Sequence, residues 1–224
     1  MIIEARYNGP EDSGNGGWTA GGVADELGAT GGTVVTLRFP PPLDTPMSVR
    51  REDATIGVYA PDGTLVADAA PTTVEPVADL VPPVGYAEAL AAAPSYSGLV
   101  AHPFPTCFVC GPDRAEGDGL RLFAGRLPDG RTAAAWRVPD DVSQVMTWAS
   151  LDCPGGWTVG IEARPYVLGR IAARVDDVPA PGSECVVVGR LLGAEGRKAY
   201  TATALYGPSG TRYAFARSTW IAIG

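Results

Sequence analysis

GGWTAGGVADELGATGGTVVTLRF, residues 16–39, sets the plan of the first half of the chain. Val23, Leu27 and small residues share one side of the stretch from Gly16 to Leu27, and Gly28 supplies a stop, so a short glycine-rich helix is expected there. The β-branched run from Gly32 to Phe39 then reads as a strand. Pro40-Pro41-Pro42 closes it, and a second run spans Met47 to Ile56. Val58-Tyr59 leads through Pro61-Asp62-Gly63, a hairpin signal, into Thr64–Asp68. The pattern is one helix followed by antiparallel strands.

Further on, an alanine-rich helical stretch, Tyr86–Ala93, precedes Pro94, Gly98, Pro103 and Pro105, which mark a linker. The expected division is an N-terminal unit at 1–95 and a C-terminal unit at 102–224. In the second unit, Gly119–Phe123 and Thr132–Val138 read as strands joined by Leu127-Pro-Asp-Gly130, and Val142–Leu151 reads as a helix. Leu168–Val175, Glu184–Leu192, Ala199–Tyr206 and Arg212–Ile223 follow as a meander with glycine- and proline-bearing turns. Two units of this kind give an α+β class, each an antiparallel sheet wrapped on a central helix. A single β-sandwich or barrel with two incidental helices is the plainer alternative.

Bulk properties narrow the function. With 46% hydrophobic and 19% charged residues the chain can bury a core, which excludes a disordered segment. A net charge of -8 without a basic cluster longer than Arg50-Arg51 argues against nucleic acid and against anionic membranes. Residues 1–20 hold no apolar signal core, and no run is long enough to span a bilayer. A cytoplasmic protein with reduced Cys107, Cys110, Cys153 and Cys185 is therefore expected.

CFVCGPDRAEGDGLRL, residues 107–122, resembles the opening of small hotdog thioesterase domains of the phenylacetate-pathway type. Those begin with Cys-x-x-Cys-Gly, a short acidic or Asn-Pro loop, then Gly-Leu and a first strand. WASLDCPGGW, residues 148–157, falls where such domains place the central helix and its carboxylate. The resemblance covers 102–224. Residues 1–95 match in element order and in Asn15-Gly16-Gly17. The whole is similar to double-hotdog thioesterases, in which two tandem hotdog domains in one chain mimic a homodimer. Departures are Asp113-Arg114 for the Asn-Pro, Ser143-Gln144-Val145 where a His-Gly-Gly commonly opens the helix, and Asn15 in the histidine place of the first half. One of the two sites is therefore expected to be degenerate.

The resemblance implies an acyl-CoA thioesterase acting at the seam between the halves. Thioester hydrolysis needs a carboxylate to activate water and a dipole to polarise the carbonyl. Asp152 would be the carboxylate, and the helix start Asn15-Gly16-Gly17 would hold the carbonyl oxygen on free backbone N–H groups. Asp25 sits at a spacing that resembles the helix aspartate of these enzymes. Gly16, Gly17, Trp18, Trp148, Gly155 and Gly156 are the expected ligand-binding positions, and Arg164 or Arg170 would meet CoA phosphates. Structural readings stand beside these. Asp152 would cap a helix or anchor the Pro154-Gly155-Gly156 turn, Asn15 would cap its helix, Asp25 would be solvated, and the tryptophans would be core.

Cys107-x-x-Cys110 supplies two of the four ligands of a zinc site, which His102, Cys153 or Cys185 would have to complete. It also lacks the βαβ context of a redox pair. Two small, semi-buried thiols are the expectation, with no metal and no cofactor. His102, the single histidine, lies in the proline-rich linker and no Gly-x-Ser-x-Gly elbow exists, which disfavours a triad and a hotdog hydratase. The alternative to an enzyme is an inactive hotdog protein that binds an acyl-CoA or lipid-like ligand. Pairing of chains into a dimer is expected from the resemblance.

Overall fold

The computed structural model describes residues 1–77 and 79–223. Helix α1 spans Gly16–Leu27; strands β1 (Thr33–Leu37), β2 (Ser48–Glu52), β3 (Thr55–Tyr59) and β4 (Leu65–Pro71) follow. Helix α2 (Tyr86–Ala92) precedes the short strands β5 (Gly125–Arg126) and β6 (Thr132–Arg137). Helices α3 (Gln144–Ser150) and α4 (Cys153–Gly156) lead into β7 (Tyr166–Val175), β8 (Glu184–Glu195), β9 (Lys198–Tyr206) and β10 (Arg212–Ala222).

All strand pairs are antiparallel, and they form one sheet in the order β2-β3-β4-β1-β7-β10-β9-β8-β6-β5. The two sets of strands meet where Thr33–Thr36 of β1 pair with Arg170–Ala173 of β7. The sheet is therefore continuous across the two helix-and-strand sets, which a sandwich with incidental helices would not give. No helix among the described residues is long and apolar enough to cross a membrane.

Two expected strands differ. Met47–Ile56 is not one strand but the hairpin β2–β3, turning at Asp53 in the left-handed region (φ 51°). Aspartate tolerates that conformation, so the turn needs no glycine to announce it. Residues 119–123 do not join the sheet. Gly119 (φ 80°) and Arg121 (φ 49°) break the extended path, and the Leu120 and Leu122 N–H groups donate to Phe108 O and Val109 O (each 2.8 Å).

Strand periodicity explains the core. On β8, Cys185 and Val187 face the helices while Val186 and Val188 face the other way. Both faces are buried because Val74, Val77, Val81, Val84 and Ala89 pack over the outer face of β6, β8 and β9. A run such as Cys185–Val188 is continuous rather than alternating for that reason.

The helices α1 and α3 pack antiparallel at close range. A Cβ on Gly17 would lie 2.6 Å from Asp152 Cβ and 3.0 Å from Ala149 Cα; one on Gly21 would lie 2.8 Å from Trp148 Cβ and 2.9 Å from Val145 O. Two glycines four residues apart thus make a flat face against which the second helix lies.

Candidate functional site

Helix α1 begins where the Asn15 side chain caps it. Asn15 Oδ1 accepts the Trp18 N–H at 2.8 Å. That bond fixes the amide orientation, so Asn15 Nδ2 points away from its own helix and donates to Asp152 Oδ2 at 3.0 Å. The Gly17 N–H donates to the same oxygen at 2.9 Å. Gly17 bears no side chain that would keep the carboxylate off.

Asp152 stands between α3 and α4. It occupies the capping position of α4, yet its side chain makes no capping bond and crosses to α1 instead. The turn-anchor reading of Asp152 therefore does not describe its contacts. It is 3% exposed, and Oδ1 has no hydrogen-bond partner. Burial raises its pKa to about 7 against the lowering effect of the Gly17 N–H; the nearby Cys107 raises it further and the Asn15 amide opposes this.

Three cysteines lie beside this pair. Cys107, Cys110 and Cys153 place their sulfurs within 4.8 Å of one another, all buried. Cys107 Sγ and Cys153 Sγ are 3.9 Å apart. Asn15 Nδ2 reaches Cys107 Sγ at 3.7 Å and Cys153 Sγ at 4.0 Å. Hydrogen bonds from its two sulfur neighbours hold the Cys107 thiol below the usual range. Burial, then the bond to Cys107, push Cys110 up, and the bonds to Cys107 and Cys110 push Cys153 up. His102 Nε2 is 3.4 Å from Cys110 Sγ, and the His102 ring packs edge-on against Trp157 at 4.9 Å. The two thiols expected to be semi-buried are thus buried and meet a third from α4, while Cys185 lies elsewhere, on β8 opposite Trp136.

The remaining expected positions divide. Trp18 stacks on Tyr7 (3.6 Å) with Phe108 edge-on at 5.1 Å, at the outer side of the helix start. Trp148 is 2% exposed and lines a cavity of about 210 Å³ with Ala24, Thr30, Gln144 and Val175, at the other end of the helix pair. Gly16 abuts Leu168 of β7, where a Cβ would lie 2.7 Å from Leu168 Cβ. Gly155 and Gly156 face the sheet, 2.8 Å from Thr203 Cγ2 and 2.6 Å from Trp220 as measured to a Cβ. Asp25 is exposed near the far end of α1 and is not brought to Asp152. Arg164 and Arg170 are both exposed; Arg170 donates to Thr36 Oγ1 (3.3 Å) across the β1–β7 seam. Tyr7 and Tyr96 went unnoticed in the sequence. Tyr96, 1% exposed, donates from its hydroxyl to Cys110 O at 2.9 Å, and an aromatic residue inside a proline-rich linker was the available signal.

The double role of Asn15 separates cap from seam. Asn15→Asp keeps a good cap but sets a carboxylate oxygen 3.0 Å from Asp152 Oδ2. Urea unfolding at pH 8 should show a loss of roughly 2–4 kcal/mol, shrinking at pH 5, where the pair can share a proton. No loss at either pH would mean that only the cap matters.

No family model and no curated protein matches the sequence. Solved structures do. A "putative thioesterase" from Novosphingobium aromaticivorans superposes at TM-score 0.62 with 14% identity, covering 100% of this chain and 94% of that one. A conserved hot dog fold protein of unknown function from Alicyclobacillus acidocaldarius gives 0.60 and 14%, covering 99% and 91%. The tesB protein of Mycobacterium avium subs paratuberculosis gives 0.59 and 11%, covering 96% and 89%. At these identities what is shared is the fold.

Proposed function

From a hotdog fold that runs the length of the chain, we propose a thioester hydrolase of the acyl-CoA thioesterase kind, working at the seam between two halves. The observation that carries this reading is the Asp152 carboxylate, which reaches from the second half onto the Gly17 N–H and the Asn15 amide at the helix start of the first. A base and a set of carbonyl-polarising donors thus adjoin, each from a different half. In this reading the halves are residues 1–95 and 102–224, and one chain holds a whole seam without a second copy. The four cysteines are unbridged, which suits a cytoplasmic setting.

Gly17 N–H cannot serve the carboxylate and a thioester oxygen at once. Turnover therefore requires Asp152 Oδ2 to give up that donor to the incoming carbonyl. Asn15 Nδ2 keeps hold of the carboxylate, and Oδ1, free of partners, takes the proton of the attacking water. Arg164 or Arg170, both exposed, would meet the CoA phosphates. Asp25 drops from the catalytic set in this proposal, because it is exposed at the far end of α1.

One observation favours a second reading. Asp152 is buried and its Oδ2 already occupies the donors a substrate would need, as in a hotdog that binds an acyl-CoA or lipid-like ligand without cleaving it. Free-thiol release from a panel of acyl-CoAs, acetyl to palmitoyl and aromatic, separates the two. Saturable turnover by the wild-type protein is the expected result. No turnover on any substrate, with acyl-CoA retained on the protein by native mass spectrometry, would replace the hydrolase with the binder.

A further inference from the structure

We propose that Cys107, Cys110 and Cys153 form a three-thiolate site for a thiophilic divalent cation, Zn2+ in the first place, with His102 holding Cys110 from outside. The inference does not rest on the thioesterase reading.

Geometry comes first. With Zn–S bonds of about 2.3 Å, two sulfurs on a tetrahedral ion stand about 3.8 Å apart. Cys107 Sγ and Cys153 Sγ are 3.9 Å apart, and Cys110 Sγ lies within 4.8 Å of both. The three residues are 3%, 3% and 6% exposed, so the sulfurs are shielded from bulk solvent. They come from two segments: the Cys-x-x-Cys strap before β5, and the first residue of α4. An ion there would tie the strap to the helix that follows Asp152.

The sulfurs are ringed by N–H donors, set against the burial and mutual contacts that push the Cys110 and Cys153 thiols up. Thiols packed as small apolar groups need no donors around them. Here N–H groups converge. Asn15 Nδ2 approaches Cys107 and Cys153. His102 Nδ1 accepts the Phe104 N–H at 2.9 Å, so the ring proton resides on Nε2, which donates to Cys110 Sγ at 3.4 Å. The Trp157 indole N–H, packed against His102, is buried with no hydrogen-bond partner. Donors of this kind stabilise thiolates and tune metal-bound sulfur. His102 is thus a positioning residue, and the fourth place on the ion falls to a small exogenous ligand such as water. Each thiol that binds gives its proton to the solvent, so uptake releases protons and strengthens as pH rises.

Metal analysis of the full-length wild-type protein, purified under reducing conditions, should find about one zinc per chain, or uptake of one Zn2+ after chelator treatment. Co2+ substitution should give intense thiolate-to-cobalt charge-transfer absorption. Cys107→Ser and Cys153→Ser should abolish uptake, while Cys185→Ser, outside the cluster, should leave it intact. If the serine variants fail to fold, uptake by the wild type still decides. His102→Gln should keep the stoichiometry and weaken zinc about tenfold or more; complete loss would overturn its outer role and make it the fourth ligand. Wild-type protein that takes up neither Zn2+ nor Co2+ while all four thiols react after unfolding would overturn the site. A disulfide within the trio combined with no metal uptake by the reduced protein would overturn it as well.

Discussion

Asp152→Asn is expected to cut acyl-CoA hydrolysis by about a hundredfold or more while leaving the protein at least as stable as wild type at pH 8. In the proposed reaction Asp152 is the base, and an amide cannot take a proton from water. The stability result follows from linkage. Burial raises the Asp152 pKa from 3.8 to about 7, so the folded state binds its proton more tightly than the unfolded state does. That contribution is fully present below the unfolded value, near pH 4, and is lost as pH rises through about 7. A shift of this size corresponds to on the order of 4 kcal/mol. Asn has no proton to lose. Its Oδ1 can still accept from Gly17 and Asn15, while its Nδ2 takes the place of the unpartnered Oδ1 at a cost of roughly 1–3 kcal/mol. The difference in Tm, variant minus wild type, should therefore climb between pH 5 and pH 8. A flat difference would mean that Asp152 is not held in this buried state, and undiminished turnover would remove it from the chemistry.

Gly17→Val should give the largest structural effect. Even one added carbon would sit 2.6 Å from Asp152 Cβ, 3.0 Å from Ala149 Cα and 3.1 Å from Trp148 O. Two of these are backbone atoms of the facing helix and its end, which cannot swing aside as a flexible side chain can. The helices must part, and the Gly17–Asp152 bond parts with them. Gly17→Ala should cost about 2–3 kcal/mol, and Gly17→Val more than that. For a chain of this size the alanine change lowers Tm by roughly 5–10 °C. Gly28→Ala is an instructive contrast: it strains a left-handed cap (φ 68°) at the far end of α1 without touching the seam. A Gly17→Val protein as stable as wild type would show that α1 and α3 do not pack this closely.

Much of the local structure was legible in the residues. Helix α1 runs from Gly16 to Leu27 and stops at Gly28, as its small and apolar side and its terminal glycine dictate. The Pro61-Asp62-Gly63 and Leu127–Gly130 turns are where turn chemistry puts them, with Gly63 and Gly130 at positive φ. The β2–β3 hairpin was hidden because an aspartate, not a glycine, takes its left-handed position. The segment 119–123 misled because its alternation of apolar residues serves the Cys107–Cys110 strap instead of the sheet.

The candidate site was legible in pieces only. Asn15 announces a helix cap and Asp152 announces a carboxylate in an apolar run, and each has an ordinary structural use. That the Asn15 amide and the Gly17 N–H converge on one carboxylate oxygen, 135 residues and more along the chain, depends on the antiparallel docking of α1 on α3. The third cysteine is the same case, since Cys153 meets Cys107 across a sequence separation of 46.

The sequence alone therefore determined what depends on neighbours in the chain: helix and strand periods, glycine stops, turn types, net charge, and the residue kinds available for chemistry. Tertiary structure decided which of these groups meet, and with what burial. The reason is physical. Backbone preferences act over a few residues, whereas the raised pKa of Asp152, the cluster of sulfurs and the buried outer face of β8 each arise from segments brought together by packing.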